Sequence, residues 1–532
     1  MKKQLNKDIL ACIFYSIIIL SYSAFCDEDK TVDFQELSLK AENGDAVAQF
    51  NLGRIYDTGN GASQDYAKSI KWYTKAAEQG NVKAQFNLGF IYANGQGIAQ
   101  DYSKAVEWYT KAADQGDFDA QFNIGLIYLN GYKDYSKAHD WFMKSAMLGD
   151  AAAQYNLGVM YDKGLGVTQD YAKALEWYTR AALQGDADAQ FNLALIYENG
   201  KGIEPNIVKA VEWYTMSANN GDADAIFNLA LIYEKGKGVS LNTTKAFELL
   251  VNGAEQGNVS SQVQLGVMYL YGHGVEQDFA KAYELFAKAA EQGSALAHYC
   301  LGIIYKNGYG VKQDYVKAAW YFATASEDGL PHAQYNLGCF YEGGLGVSQD
   351  YSKAVELYTK AADQGFIKAM YNLGVMYANG LGVEQDYTKA VDLYTKAAGQ
   401  GYVKAMYNLG IMYANGLGVE QDDTKAVELM IKAAEGGIAQ AQFNLGAMYA
   451  EGNGVAQDYT KAIEWYQKAA KQGFVPAQNE LAGLYLGAKG VTKDSKKAKE
   501  LFEKAAKKGN TEAQSKLKSF DEQAASKKEI VL

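Results

Sequence analysis

The sequence predicts an all-α solenoid, a protein built from stacked helical repeats, and three observations lead to this prediction. From Gly44 to Lys508 one pattern recurs in thirteen consecutive units, twelve of 36 residues and one of 33. A period of about 20 to 50 residues is the signature of such arrays. Each unit contains two stretches in which apolar residues follow helical spacing. The chain is 48% apolar with only three prolines in 532 residues, so it can form a continuous core with few breaks between domains.

Each unit is expected to contain a helix A, a loop and a helix B. When the leading glycine is position 0, helix A carries Ala at position 4, Leu at 8, a bulky aliphatic residue at 11 and Tyr at 12. Glycines at positions 15 and 17 mark the loop, and Asp or Asn at position 21 is the predicted N-cap of helix B. Helix B carries Ala at positions 25 and 32 and large residues at 28 and 29. The next leading glycine is expected to end helix B.

Three segments depart from this pattern. The third unit, from Gly116 to Leu148, lacks three residues of the loop, so its helix B positions are numbered three lower. Because neither helix can bury its apolar side alone, the ends of a stack need polar caps. Residues 27–43 are predicted to form an N-terminal capping helix, and residues 509–532 a C-terminal capping helix and tail, in which Ser515 and Lys516 replace the usual aromatic residue and Asn.

Residues 1–26 are predicted to be a secretory signal peptide. Lysines at positions 2, 3 and 7 precede an apolar run from Ile9 to Leu20, and small residues follow it. The protein is therefore expected to be exported, to the periplasm or the medium, with no membrane span after cleavage. An uncleaved anchor is one alternative. A lipoprotein modified at Cys26 is another, although Phe25 stands where a small residue is usual.

The composition and the motifs indicate no nucleic acid, cofactor or metal. The formal net charge is −11, whereas phosphate binding needs clustered excess Lys and Arg. The G-x-G loop follows a helix, lacks the third glycine and the lysine of a phosphate loop, and occurs in nearly every unit. HExxH, GxSxG and CxxC motifs do not occur. The chain is thus predicted not to be an enzyme.

Units 8 and 9 contain the one concentration of reactive residue types, namely His298, Cys300, His332 and Cys339. His298 and Cys300 are two residues apart on one helix and point to different sides, so they cannot converge on a metal or a nucleophile. The two cysteines are offset along adjacent helices A, which places them too far apart for a disulfide. Both are predicted to be structural.

The unit A-x-A-Q-F-N-L-G-x-x-Y-x-x-G-x-G-V-x-Q-D-Y-x-K-A-x-x-W-Y-x-K-A-A resembles the Sel1-like repeat, a relative of the tetratricopeptide repeat. The resemblance covers about 465 of the 532 residues. It implies a right-handed superhelix of antiparallel helix pairs that serves as an adaptor or scaffold for protein complexes. Exported bacterial members are often linked to envelope assembly or host-cell contact. A cysteine-rich branch, with a disulfide in each unit, includes members reported to bind penicillin, but this chain lacks those cysteine pairs.

The candidate binding surface follows from the helical wheel of helix A. Positions 3, 6, 10 and 13 fall opposite the predicted core side and are expected to line a concave groove. Position 6 is largely aromatic, and position 3 varies from Asp188 to Lys368, which would give a polar rim that differs along the chain. The alternative is that position 6 packs against the neighbouring helix A. The candidate groove residues are Phe86, Phe122, Tyr155, Phe191, Phe227, Tyr299, Tyr335, Tyr371 and Tyr407.

A second candidate is a ladder of asparagines at position 7, whose amides are suited to holding the backbone of a bound peptide. The alternative is that they tie each helix A to its neighbour. The ladder consists of Asn87, Asn123, Asn156, Asn192, Asn228, Asn336, Asn372 and Asn408.

Together these features predict an exported bacterial scaffold or adaptor that binds protein or peptide partners along the concave face, in envelope assembly or host-cell interaction. Two other functions are left open. One is an envelope enzyme of the penicillin-binding or cell-wall hydrolase type. The other is a structural spacer without a specific ligand, which the near identity of units 10 and 11 favours (residues 365–400 and 401–436).

Overall fold

The structure is a computed structural model that describes residues 34–487 and 490–529. All regular elements among these residues are helices, which confirms the predicted all-α helical-repeat solenoid. The described residues divide into two compact parts, one up to residue 242 and the other from residue 243 onward. The predicted signal peptide lies outside the described residues, as does the start of the predicted N-terminal capping segment, whose described helix is Phe34–Glu42.

Each repeat contains the two expected helices. Helices A of units 1 to 13 are Ala46–Thr58, Val82–Asn94, Phe118–Leu126, Ala151–Lys163, Ala187–Asn199, Ala223–Lys235, Val259–Tyr271, Ala295–Asn307, Pro331–Gly343, Ile367–Asn379, Val403–Asn415, Ala439–Glu451 and Val475–Gly487. Helices B are Tyr66–Glu78, Tyr102–Ala113, Tyr135–Met147, Tyr171–Leu183, Ile207–Asn219, Thr243–Glu255, Phe279–Glu291, Tyr315–Glu327, Tyr351–Asp363, Tyr387–Gly399, Asp423–Glu435, Tyr459–Lys471 and Ser495–Lys507. The C-terminal helix is Thr511–Glu529.

The predicted start and stop residues set the helix boundaries. At the start of helix B, the side chain of Asp101 accepts a hydrogen bond from the backbone N–H of Lys104 at 3.0 Å. At the end of helix A, Gly95 adopts a left-handed conformation with φ of 70°. Most other amino acids adopt that conformation only with strain, which accounts for glycine at position 15.

Helices A and B of one unit approach closely because position 9 is usually glycine. In unit 4, a Cβ atom added to Gly158 would lie 2.5 Å from Cδ1 of Tyr178, the position 29 residue of helix B. Tyr178 is only 1% exposed, and Ala153 and Leu157 are fully buried on the same side of helix A. In the repeats that carry an aromatic residue at position 29, the core is therefore a large ring from helix B seated on a smooth surface of helix A.

Successive units are joined by a ladder of buried glutamines at position 5. In unit 2, Nε2 of Gln85 donates to the carbonyl oxygen of Ala77 in the preceding unit at 2.9 Å. Its Oε1 accepts from Nε2 of Gln115, at the end of helix B of its own unit, at 2.8 Å. The same pair of bonds occurs on Gln154 and Gln190, the latter with Asn220 as the donor. These amides bridge the backbone of one repeat to the helix end of the next.

The shortened third unit absorbs its deletion in a way that its sequence does not reveal. Helix A ends at Leu126 and continues directly into a π-helical segment, Ile127–Tyr132. Lys133 then takes a left-handed conformation with φ of 57°, the one such non-glycine residue among those described. The loss of three loop residues therefore converts the end of helix A into a wider, π-helical turn. Asp134 still caps the start of the following helix B.

Replacing Leu148 with glutamine is expected to raise the free energy of unfolding by about 0.5–1.5 kcal/mol. Leu148 occupies the place of the helix-end glutamine in unit 3, and Oε1 of the buried Gln121 consequently has no hydrogen-bond partner in the described structure. The new amide would supply that partner. Urea denaturation measures the change. Leu183→Gln is the control, because it replaces another exposed leucine (74%) at a helix end that has no unpaired glutamine oxygen to accept a hydrogen bond. An equal increase in the free energy of unfolding for this variant would contradict the explanation.

Candidate protein-interaction face

The candidate groove residues at position 6 lie at the edge of the core. In most of these units the ring rests on the large aromatic residue at position 29 of the same unit; for example, the ring centroids of Phe86 and Tyr109 are 5.3 Å apart and those of Tyr335 and Tyr358 are 5.9 Å apart. The position 29 rings are fully buried, whereas the position 6 rings keep part of their surface exposed. The half-buried candidates are Phe86, Phe122, Tyr155, Phe191, Phe227, Tyr299, Tyr335, Tyr371 and Tyr407.

Position 1, the N-cap of helix A, divides the chain into two groups of units. In units 1 to 8 it is Asp, Asn or Ser, and its side chain accepts a hydrogen bond from the backbone, as Asp117 does from Ala120 at 2.7 Å. In units 9 to 13 the residues at this position are Leu330, Phe366, Tyr402, Ile438 and Phe474. The first four make no side-chain cap hydrogen bond. Since an N-cap bond contributes about 1 kcal/mol, several consecutive helices forgo that stabilisation.

The apolar residues at position 1 extend the row of position 6 rings. The ring of Phe366 lies 5.3 Å from that of Tyr335 in the preceding unit, and the ring of Tyr402 lies 5.2 Å from that of Tyr371. Phe443 and Phe474 repeat the contact at 5.5 Å. Aromatic residues of successive units therefore touch along this part of the chain. We use the term A face for the side chains at positions 1, 3 and 6 of helices A.

The asparagine ladder is occupied by hydrogen bonds within the protein in several units. Nδ2 of Asn123 donates to the carbonyl oxygen of residue 119 at 2.8 Å, and Asn156, Asn192 and Asn336 make the equivalent bond in their own helices. Asn372 instead donates to the hydroxyl of Tyr358, in the preceding unit, at 3.1 Å. The contact of Asn372 fits the alternative that the asparagines tie neighbouring units, whereas the Nδ2 bonds of the other four members stay within one helix. Asn87, Asn228 and Asn408 are half-buried at the same position.

In units 3 to 6 the A face is acidic. Positions 1 and 3 carry Asp117 and Asp119 in unit 3, Asp150 in unit 4, Asp186 and Asp188 in unit 5, and Asp222 and Asp224 in unit 6. Partial desolvation, and secondarily the charges of Asp186 and Asp222, raise the pKa of Asp188 to about 6. Desolvation followed by the charges of Asp117 and Asp150 raises the pKa of Asp119. Carboxylates of successive units are thus close enough to repel one another.

The variant Asp188→Asn is expected to stabilise the protein above pH 6, and less so at lower pH. The folded-state pKa of Asp188 lies above the usual value for aspartate, so the folded state holds the proton more tightly than the unfolded chain. Wild-type stability consequently falls as the pH rises from about 4 to about 6 and then levels off. The gain should stay below about 1 kcal/mol, because the residue is exposed and its charge is screened. Urea denaturation at pH 4, 5 and 7 tests it. Asp363→Asn, outside the acidic row, should give no such pH-dependent gain.

Acidic residues at position 13 have a structural partner in helix B. Glu198 accepts a hydrogen bond from the hydroxyl of Tyr214 at 2.8 Å and pairs with Lys237 of the next unit at 3.1 Å. Glu342 accepts the equivalent bond from Tyr358 at 2.5 Å. These carboxylates join helices and successive units, so they are not free to act on a substrate.

The histidines and cysteines of units 8 and 9 do not form a reactive centre. Burial raises the pKa of the Cys300 thiol to about 12 and also raises that of Cys339, so neither is poised as a thiolate. Both are free cysteines, as the sequence predicted. The ring of His298 packs beside Tyr321, and that of His332 beside Phe366. Within the described residues, no group of three or more His, Cys, Asp or Glu side chains is arranged to hold a metal ion.

Two shallow pockets illustrate how surface features repeat with the unit. One, of about 420 Å³, is lined by Tyr377, Gln385, Asp386 and Lys389 among others in unit 10, and the other, of about 460 Å³, is lined by the equivalent residues of unit 11. Each lies in the loop before helix B. Because the same pocket occurs at the same place in two repeats, the fold of the repeat explains it without a ligand site.

The Sel1 repeat profile matches thirteen consecutive segments of the chain: residues 46–81, 82–117, 118–150, 151–186, 187–222, 223–258, 259–294, 295–330, 331–366, 367–402, 403–438, 439–474 and 475–510. The chain belongs to the Sel1 repeat family. This confirms the resemblance inferred from the repeating unit. The profile places the repeat boundary two residues after the glycine used here as position 0, which changes none of the helix assignments.

A solved structure agrees with this assignment. The chain is 34% identical to a protective antigen present in uropathogenic Escherichia coli strains, whose crystal structure displays an SLR fold; the match has a TM-score of 0.65 and covers 92% of this chain and 97% of the antigen. A Sel1 repeat protein from Oxalobacter formigenes is 36% identical over 58% of this chain and 90% of its own, with a TM-score of 0.47. The comparison with curated proteins gave no match.

The helices of the Sel1 repeats are too short or too polar to cross a lipid bilayer, and the same holds for every other helix among the described residues. Within each compact part, successive Sel1 repeats pack on one another through the contacts described above, and the A face is the surface on which the position 3 and position 6 candidates lie.

Proposed function

We propose that this Sel1 repeat protein is an exported bacterial scaffold that binds protein or peptide partners along its A face and catalyses no reaction. Family membership supports a protein-interaction scaffold. The observation that carries the proposal is the row of half-buried position 6 rings, most of which pack on a buried ring of helix B. Rigid aromatic side chains with exposed surface are the usual anchors of protein interfaces.

Placing the partner on the concave side rests on the packing of helices A. Helix A of unit 4 (Ala151–Lys163) contacts helix A of unit 5 (Ala187–Asn199) directly. Helices that line the inner side of a curved stack lie closer together than those on the outer side. This contact supports a groove lined by helices A.

The spacer alternative is less well supported than binding. Units 10 and 11 are nearly identical, but the A face changes from acidic in units 3 to 6 to aromatic in units 9 to 13. A spacer without a ligand gives no reason for the residues of this face to change along the chain. A binding surface with distinct zones does give such a reason. For an envelope enzyme, the cysteines and position 13 carboxylates described above offer no convergent acid, base or nucleophile, and this supports a non-catalytic role.

The proposal includes a role at the cell envelope or in contact with a host cell. The related Escherichia coli protein is described as a protective antigen, which is compatible with a location outside the cytoplasm. This supports export of the present chain, as does the predicted signal peptide in residues 1–26, which lie outside the described structure.

Photo-cross-linking in the cells that express the protein tests the proposed face. Benzoylphenylalanine would replace Phe191 on the A face in one variant and Glu176 on the exposed side of helix B in the other. We expect the first variant to form an adduct with another protein, identified by mass spectrometry, and the second to form none. Equal adducts from both positions, or none from either, would argue against a binding face on helices A.

Export makes a separate prediction. Cleavage is expected between about Ser23 and Cys26, because the basic start, apolar run and small residues form a signal peptide. Edman sequencing of the mature protein from the cell envelope or medium measures this. A chain that still begins at Met1 in the inner membrane would show that the segment is an uncleaved anchor.

A further inference from the structure

The A face of units 9 to 13 forms a continuous apolar stripe, which we define as the apolar residues at positions 1 and 6 of these units; position 6 of unit 13 is the polar Asn479 and lies outside it. They are Leu330, Tyr335, Phe366, Tyr371, Tyr402, Tyr407, Ile438, Phe443 and Phe474, and all are half-buried. Rings of successive units touch at 5.2 to 5.5 Å between centroids. The stripe lies entirely within the second compact part, which begins at residue 243.

The replacement of the N-caps points to a selected surface. The helices beginning at Pro331, Ile367, Val403 and Ala439 lack the side-chain cap bond that Asp, Asn or Ser makes in units 1 to 8. The side chains that stand there instead leave part of their apolar surface exposed. A stability gain in the isolated protein does not account for the loss of a cap in favour of an apolar side chain that is only half-buried, whereas a ligand that covers the rest of that side chain does.

The charge beside the stripe is positive. The exposed residues at position 3 are His332, Lys368, Lys404 and Gln440 in units 9 to 12. The helices A of units 9 to 13, all described by the structure, contain three carboxylates, Glu342, Glu451 and Glu480, none of them at position 1, 3 or 6. Glu342 accepts a hydrogen bond from Tyr358. The stripe is therefore flanked by cations in a protein whose formal net charge is −11.

We infer that the apolar stripe binds an extended segment of another protein in which acidic residues alternate with apolar ones. Apolar side chains of that segment would cover the exposed ring surfaces, and its carboxylates would pair with Lys368 and Lys404. Neighbouring helices A are about 10 Å apart, and an extended chain advances about 3.3 Å per residue, so one unit corresponds to about three residues of the partner. This inference rests on the proposed function and specifies the partner's chemistry.

Fluorescence polarisation with the full mature chain tests the inference. The probe is a fluorescein-labelled peptide of five Glu-Phe-Ser triplets; one comparison peptide has Lys in place of Glu, and another has Ser in place of Phe. We expect the probe to bind at least about tenfold more tightly than either comparison peptide, because it alone satisfies both charge and apolar contacts. The protein as a whole is acidic, so non-specific electrostatic attraction would favour the Lys peptide over the Glu peptide. It cannot produce the expected preference for the Glu peptide.

Two double variants locate the binding. Lys368→Gln with Lys404→Gln should weaken probe binding about five- to tenfold at low salt. The matched control is Lys396→Gln with Lys432→Gln, which removes the same charge from exposed helix B positions of the same two units and should change binding less than twofold. Phe366→Asn with Tyr402→Asn should weaken binding about tenfold or more while the melting temperature stays the same or rises, because asparagine is the residue that caps helix A in units 2 and 7.

Three results would overturn the inference: preference for the Lys peptide, equal binding of all three peptides, or probe binding that survives the Phe366→Asn, Tyr402→Asn double variant. Each leaves the proposed function standing if a partner cross-links to Phe191. The opposite result is that Phe191 forms no cross-link but the probe binds tightly and the double variants weaken its binding. That result would contradict a binding face along all the helices A while supporting the apolar stripe as a binding site.

Discussion

Replacing Tyr178 with alanine is expected to lower the free energy of unfolding by about 3–5 kcal/mol. The ring of Tyr178 is 1% exposed and sits over Gly158, where it fills the space between helices A and B of unit 4. Its removal leaves a cavity that the backbone of two helices cannot close. Urea denaturation followed by circular dichroism measures the loss, and hydrogen exchange should show faster amide exchange in residues 151–183.

The controls for this prediction come from the repeats themselves. Tyr178→Phe should cost much less, since Phe142, Phe286 and Phe322 occupy the same position in other units and are fully buried there. Glu176→Ala, on the exposed side of the same helix, removes a surface ion pair with Arg180 and should change stability by about 0.5 kcal/mol or less. If Tyr178→Ala were as mild as Glu176→Ala, the position 29 ring would not be the main contact between the helices.

The parts of the fold that depend on local chemistry could be predicted from the sequence. Asp101 was recognisable as an N-cap and Gly95 as the end of helix A because both roles are decided by a few adjacent backbone groups. The repeat period likewise showed which helices must stack. The π-helical segment at Ile127–Tyr132 was not predicted, because the way in which a shortened loop is absorbed depends on where the next helix is already held.

The candidate site was only partly predictable for a similar reason. A helical wheel places Phe86 opposite the core side of helix A, but it does not show that the ring of Tyr109 on helix B reaches out to meet it. The helical wheel therefore left open whether the position 6 ring lies in the groove or in the core. In the structure the ring lies at the boundary between the two. The glutamine ladder also needed the structure, since the acceptor of Gln85 is a carbonyl in the preceding unit.

The apolar residues at position 1 were missed although the sequence contained a signal for them. A comparison of that one position across all units shows Asp, Asn or Ser through Ser294 and apolar residues from Leu330 onward. The change was overlooked because position 1 precedes the helix and lies outside a wheel of helix A. The significance of this change depends on the contact between Phe366 and Tyr335 of the preceding unit, which the sequence does not show.

Replacing Gly374 with leucine is expected to cost about 3 kcal/mol, and replacing it with alanine at most about 1 kcal/mol. A Cβ atom at this position would lie 2.7 Å from Cε1 of Tyr394, which is closer than the ring allows without moving. Unit 5 has Ala194 opposite Tyr214, and both are buried, so one methyl group can be accommodated by a small shift of the ring. The better helix propensity of alanine, about 0.5–1 kcal/mol over glycine, also offsets part of the clash. Leucine adds three more carbon atoms to the same closed space, and the two helices must then separate.

Urea denaturation of the two Gly374 variants and of Lys368→Leu measures this effect. Lys368 lies on the exposed side of the same helix, so leucine there should change stability by about 0.5 kcal/mol or less. The expected order of stability loss is therefore leucine at 374 far above alanine at 374, with leucine at 368 close to the wild type. If leucine were tolerated at 374 as well as at 368, helices A and B would not be held together by the contact between glycine and the ring, and the close packing assigned to every repeat with glycine at position 9 would be wrong.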